Sequence, residues 1–119
     1  KRRHISLANS FVNKKVDLTT TSATTLYTVP DATTAIIKSI LVSEDSGNAD
    51  TITVTITDTA DAVFSLFKTK SISANGTTEL LSASLVLQQN EVLKVTAATA
   101  NRLHVVLSAL QSKPREVIT

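Results

Sequence analysis

The chain contains no cysteine, no methionine and no tryptophan. Without cysteine there is no disulfide framework, which argues against a small secreted disulfide scaffold. The two glycines, Gly47 and Gly76, cannot build a glycine-rich phosphate loop. The only aromatics are Phe11, Tyr27, Phe64 and Phe67. That is too few for the stacking platforms of nucleic-acid or carbohydrate binders. Uninterrupted apolar runs stop at three residues, as in Leu85-Val86-Leu87, far short of the roughly 20 needed to span a bilayer as a helix. The opening Lys1-Arg2-Arg3-His4 has the charge of a signal peptide's first residues. Ser6, Asn9 and Ser10 then interrupt the following stretch, so it reads as an arm and not as a targeting signal.

What the chain does have is threonine and serine, with charge unevenly spread. A length of 119 residues suits one domain with a real core and no need of a metal. Residues 1–15 hold five bases and no acid, the segment 16–112 holds five bases against nine acids, and 113–119 hold two bases and one acid. The chain thus divides into a basic N-terminal arm (1–15), a mildly acidic body (16–112) and a short tail (113–119). A basic arm of this kind binds something negative, here the acidic body of a neighbouring copy in preference to nucleic acid.

Strand texture dominates the body. Thr51-Ile52-Thr53-Val54-Thr55-Ile56-Thr57 alternates without a break, which places Ile52, Val54 and Ile56 inward and the threonines on an ordinary outer face. Val95, Val105 and Leu107 complete the expected core. Pro30-Asp31, Glu44–Asp50, Asp58–Asp61, Asn75-Gly76 and Gln89-Asn90 punctuate the chain as turns. Eight or nine short strands follow, with turns about every ten residues and no convincing helix. This predicts an all-β antiparallel sandwich of jelly-roll type. The strand 34–43 is apolar on both sides, with Ile36, Ile40 and Val42 assigned to one face. That is more than one core requires, so these three are candidate interface residues.

Chemistry has few places to sit. Glu44, Asp45, Asn48 and Asp50 could offer oxygens to a hard cation, but the spacing does not follow an EF-hand and no bidentate acid closes the loop. A solvated hairpin loop is the favoured alternative. His4 and His104 are the only histidines, and neither has a metal-ligand partner nearby in sequence. No nucleophile-elbow motif accompanies them. The chain therefore reads as a non-enzyme with no cofactor and no small-molecule substrate. Neither a membrane nor nucleic acid is an expected partner. In the arm, Lys1, Arg2, Arg3, Lys14 and Lys15 would steer, and Ile5, Leu7, Phe11 and Val12 would anchor. Glu44, Asp45, Asp58 and Asp61 of another copy are the expected acidic partners.

One resemblance joins these segments. Leu26-Tyr27-Thr28-Val29-Pro30, then Ala35-Ile36-Ile37-Lys38-Ser39-Ile40, then the threonine-rich strand after Gly47, form the first half. Ile72-Ser73-Ala74-Asn75-Gly76-Thr77-Thr78-Glu79-Leu80 and the hairpin Leu87 to Val95 form the second. In this order they resemble a module of tailed-bacteriophage virion proteins, including those of marine and cyanobacterial phages. The likeness runs over residues 18–110. It implies a β-sandwich virion component that assembles with copies of itself and other virion proteins, at the neck or tail or on the capsid surface. It carries over no catalytic residue. A capsid cement or decoration protein, and a receptor- or glycan-binding module of a fibre, are the alternatives it leaves open.

Overall fold

The computed structural model describes the backbone of residues 3–118 and the side chains of residues 8–114. Among the described residues there is no helix. Nine strands run in order: β1 (Arg3–Asp17), β2 (Thr24–Thr28), β3 (Thr34–Glu44), β4 (Asp50–Thr57), β5 (Val63–Ile72), β6 (Thr77–Glu79), β7 (Leu85–Leu87), β8 (Val92–Ala97) and β9 (Leu103–Ile118). They form two antiparallel sheets. One has the order β1-β9-β3-β6, with β7 also on β3, and the other has the order β2-β8-β4-β5.

The pairing has a simple logic. β4 turns back on β5, β3 on β6 and β7, β2 on β8 and β1 on β9. The chain is in effect folded in half at the β4–β5 turn, and the ribbon so made is rolled into two facing sheets. This is the jelly-roll arrangement, with β6 and β7 sharing one strand position.

Alternating side chains fill the space between the sheets. Ile52, Val54, Val95, Val105 and Leu107 are all buried, as the pattern predicts. Ile56 is only partly buried. It pairs with Phe64 on the edge strand β5, and Phe64 is itself 55% exposed. Several turns rest on residues that tolerate positive φ, namely Asp61, Asn75, Asn90 and Asn101.

Two features depart from the sequence reading. The first is a β-bulge in β3 between Ile37 and Ser39. One extra residue reverses the phase of alternation. Ala35 and Ile37 point inward before it, and Ile40, Val42 and Glu44 point inward after it. Ile40 and Val42 are therefore wholly buried in the chain's own core and are not interface residues. Ile36 and Leu41 face outward instead.

The second concerns the ends. The segment read as an unpatterned arm is strand β1, paired with β9 from Arg3↔Ile118 to Asp17↔His104. The tail after Pro114, as far as Ile118, belongs to β9. Backbone pairing needs no side-chain alternation, and alternation is what the segment lacks. Val12 and Val16 pack against the core, while Lys14 between them is exposed opposite the buried Leu107. A charge directed to the core side is a common protection for an edge strand. β3 leaves β9 at Ser112. Beyond it, residues 3–8 and 113–118 continue as a two-stranded ribbon, about 20 Å long at the usual rise. Pro114 sits where β9 no longer has β3 beside it, so its missing N–H costs little. The ribbon contributes to the elongated envelope of 62 × 28 × 24 Å.

Candidate assembly surfaces

The outer face of the β1-β9-β3-β6/β7 sheet is the first surface. Directly opposed residues share a face, so the register defines its rungs. One rung is Phe11, Leu110, Ile36 and Val86, crossing four strands. Phe11 is 82% exposed and Val86 is 53% exposed. Another rung is Lys15, Val106, Leu41 and Glu79. Between them lie Asn13, Ser108 and Ser39. An open depression beside Phe11, Asn13 and Ser108 is also lined by Lys38, the residue that the bulge inserts.

Glu79 is held on this face by the bulge. Its carboxylate accepts the Ile40 N–H at 2.9 Å, the Leu81 N–H at 3.2 Å and the Ser39 hydroxyl. Partial burial would raise its pKa. The hydrogen bonds outweigh that and hold it below the ordinary carboxylate value.

The second surface is the edge formed by β5 and the β6–β7 loop. Val63, Phe64 and Leu66 are exposed there. Leu66 and Phe67 face Leu80, Leu81 and Leu85 across an open groove. β5 carries register shifts against β4, a positive φ at Thr69, and exposed Lys68 and Lys70. Such irregularity and charge discourage indiscriminate strand pairing.

The acidic residues expected to receive a basic arm divide sharply. Glu44 is 2% exposed and cannot serve. It accepts N–H groups from Ser46 (2.7 Å), Gly47 (3.0 Å), Asn48 (3.1 Å) and Asn75 (3.1 Å), and the Ser46 hydroxyl. Burial alone would raise its pKa, yet these donors lower it from 4.5 to about 2. Asp58 accepts the N–H groups of Ala60 and Ala62, both at 2.9 Å, and so shapes its own turn. Asp61 and Asp45 are exposed.

The cation reading of the 44–50 loop fails for the same reason. N–H donors occupy the Glu44 carboxylate, and Asp50 is buried and takes the Thr99 N–H at 3.1 Å. Among the described residues no cluster of three potential ligands forms.

His104 gains partners that sequence distance concealed. Asp17 lies 3.2 Å from its Nδ1 and Asp45 lies 3.2 Å from its Nε2. The two carboxylates sit on opposite sides of the ring, so they bracket the imidazole and do not converge on one point. They tie the end of β1 to the β3–β4 loop. The pairing Asp17↔His104 follows from β1 being a strand, which the sequence pattern did not reveal.

Of the arm residues, Phe11 is on the outer face, Val12 packs on the chain's own core, and Lys14 and Lys15 are exposed. Lys1 and Arg2 lie outside the described residues. Arg3, Ile5 and Leu7 are in β1, and their side chains lie outside the described residues.

No protein-family model matches the chain, and no curated protein matches it in sequence. Similar solved structures exist. One is a chain of the acid-stable capsid structure of the Helicobacter pylori bacteriophage KHP30, with a TM-score of 0.54 and 14% identity; the match covers 99% of this chain and 100% of that one. Another is from Bacillus endospore appendages, described as disulfide-linked pili, with a TM-score of 0.50 and 10% identity, covering 95% and 90% of the two chains. At these identities the common property is the fold, an antiparallel jelly-roll sandwich.

Proposed function

We propose that this chain is a non-enzymatic structural subunit of a bacteriophage particle, placed at the neck or tail or on the capsid surface. The observation that carries the reading is the end-to-end fold correspondence with a chain of the KHP30 capsid structure. The ordered motifs of residues 18–110 point to the same class. The acids that the fold buries or folds inward, Glu44, Asp50, Asp58 and Glu79, bind backbone N–H groups. They stabilise turns and a bulge. Exposed apolar side chains lie on one sheet face and along one edge, as expected of a subunit that buries surface on assembly.

In this reading the partners are other copies of the chain and other virion proteins. The basic N-terminal segment acts as part of the two-stranded ribbon, which reaches past the body towards a neighbour. The exposed Asp45 and Asp61 are its proposed contacts. The test is quantitative mass spectrometry of gradient-purified particles from a culture that produces the chain. The chain should copurify in many copies per particle. Its absence from particles, with the protein present in the lysate, would reject the reading.

A further inference from the structure

The outer face of the β1-β9-β3-β6/β7 sheet is apolar along two rungs, and Lys15 and Glu79 stand at the opposite margins of one of them. We propose that this face is the contact between two copies of the chain, packed face to face about a two-fold axis parallel to the strands and lying between β9 and β3. The proposal rests on the reading of the protein as an assembling subunit and names the surface and the partner.

The choice of axis follows from the rungs. In one of them Lys15 stands on β1 at one margin and Glu79 stands on β6 at the other, with Val106 and Leu41 between. A half-turn about an axis along the strands exchanges the margins and keeps each rung level with itself. Lys15 then meets Glu79 of the second copy, and Val106 meets its Leu41. In the other apolar rung Phe11 meets Val86 of the second copy, and Leu110 meets its Ile36. Within these two rungs apolar groups fall on apolar groups and Lys15 falls on Glu79.

A half-turn about an axis across the strands does the reverse. Centred on the charged rung, it sets Lys15 on Lys15 and Glu79 on Glu79. Centred between the rungs, it sets Lys15 on Phe11 and Glu79 on Val86. Only the first arrangement is complementary. Lys38 is compatible with it. It lines the depression beside Phe11 and Asn13, and the half-turn carries that side of one copy to the Glu79 side of the other.

The area agrees with a reversible contact. Four strand positions at about 4.8 Å spacing, over the stretch Asn9–Asp17 of β1 that faces β9 where β9 also pairs with β3, at about 3.4 Å per residue, give roughly 600 Å² per copy. About 1,200 Å² in total is at the lower limit of specific interfaces. Aligned packing of two twisted sheets is a common geometry for such faces.

The experiment is sedimentation velocity on the full chain across a concentration series, with variants. The parent should show a monomer–dimer equilibrium. Leu41→Arg, at a position 40% exposed, should weaken it by more than about tenfold, the equivalent of about 1.4 kcal/mol. Phe11→Lys alone and Val86→Glu alone should each weaken it. The two together should restore it, because each new lysine faces the new glutamate of the other copy. Within one chain these positions are three strands apart, about 14 Å, so internal rescue is excluded. Thermal melts of every variant check that the fold is retained. A parent that stays monomeric throughout, a dimer indifferent to Leu41→Arg, or a double variant weaker than either single would each overturn the proposal. A monomeric chain found in purified particles would remove this contact and leave the virion reading intact. A dimer absent from particles would do the opposite.

Discussion

The carboxylate of Glu44 accepts the backbone N–H of Asn75 at 3.1 Å, joining the β3–β4 loop to the β5–β6 turn. The same carboxylate also gathers Ser46, Gly47 and Asn48. A buried acid thereby becomes the organiser of two loops at the end of the sandwich away from the ribbon.

Acid should loosen this end. Glu44 titrates at about 2 when folded, against 4.5 ordinarily. A depressed folded pKa means that the unfolded chain binds the proton first. The stabilisation is complete above about 4.5 and is lost as pH falls towards 2. Glu79 is shifted in the same direction. Thermal midpoints measured from neutral pH downward should fall through this window. Glu44→Gln should lower the neutral midpoint and flatten the fall. An unchanged acid profile in that variant would refute the assignment.

Deleting residues 1–15 should unfold or severely destabilise the protein, because it strips a partner strand from β9 along Lys15↔Val106 to Asn9↔Ser112. Removing 1–8 and 113–119 together should leave the midpoint within a few degrees, since β3 pairing ends at Ser112. Circular dichroism melts of the two truncations separate these outcomes.

Thr69 holds a φ of 52° in an irregular edge strand. A β-branched residue pays for that conformation. Thr69→Asn should therefore raise stability by about 1 kcal/mol, read from urea unfolding. A loss of stability would refute this, and would mean that the hydrogen bond from the Thr69 hydroxyl to the Lys68 carbonyl, at 2.7 Å, outweighs the backbone strain.

Gln111 Nε2 donates to the Tyr27 hydroxyl at 2.6 Å, and so links the two sheets. Tyr27→Phe should cost about 1 kcal/mol. Val54→Asp, at a site with no exposure, should prevent folding outright, because it buries an unpaired charge. Denaturant titration of the first and expression with circular dichroism of the second are the measurements.

Strands with uninterrupted alternation were fully legible in the sequence. β4 is the clearest, with Ile52 and Val54 buried where the pattern puts them. Structure and sequence pattern differ where local pattern and pairing part company. A bulge inserts Lys38 into β3, and from that point every inward residue changes places with an outward one. Ile36 survives as a surface residue for this reason, while Ile40 and Val42 do not. β1 leaves no clear pattern in the sequence because an edge strand buries only part of one face, and Lys14 interrupts even that. Glu44 looked like a surface acid because its donors come from backbone N–H groups, which leave no trace in sequence. The closeness of Asp17, Asp45 and His104 depends on long-range register, so no spacing rule could have found it.

The antiparallel joining of β1 to β9 sets Arg3 beside Ile118. Tension applied between those two points would part the ribbon one rung at a time, like a zip, at low force. A load applied along the strands between β3 and β9 would instead strain the backbone pairs from Thr34↔Ser112 to Glu44↔Leu103 in shear at once. The same sheet is thus weak to peeling at its ends and strong to the sliding of one central strand past the next.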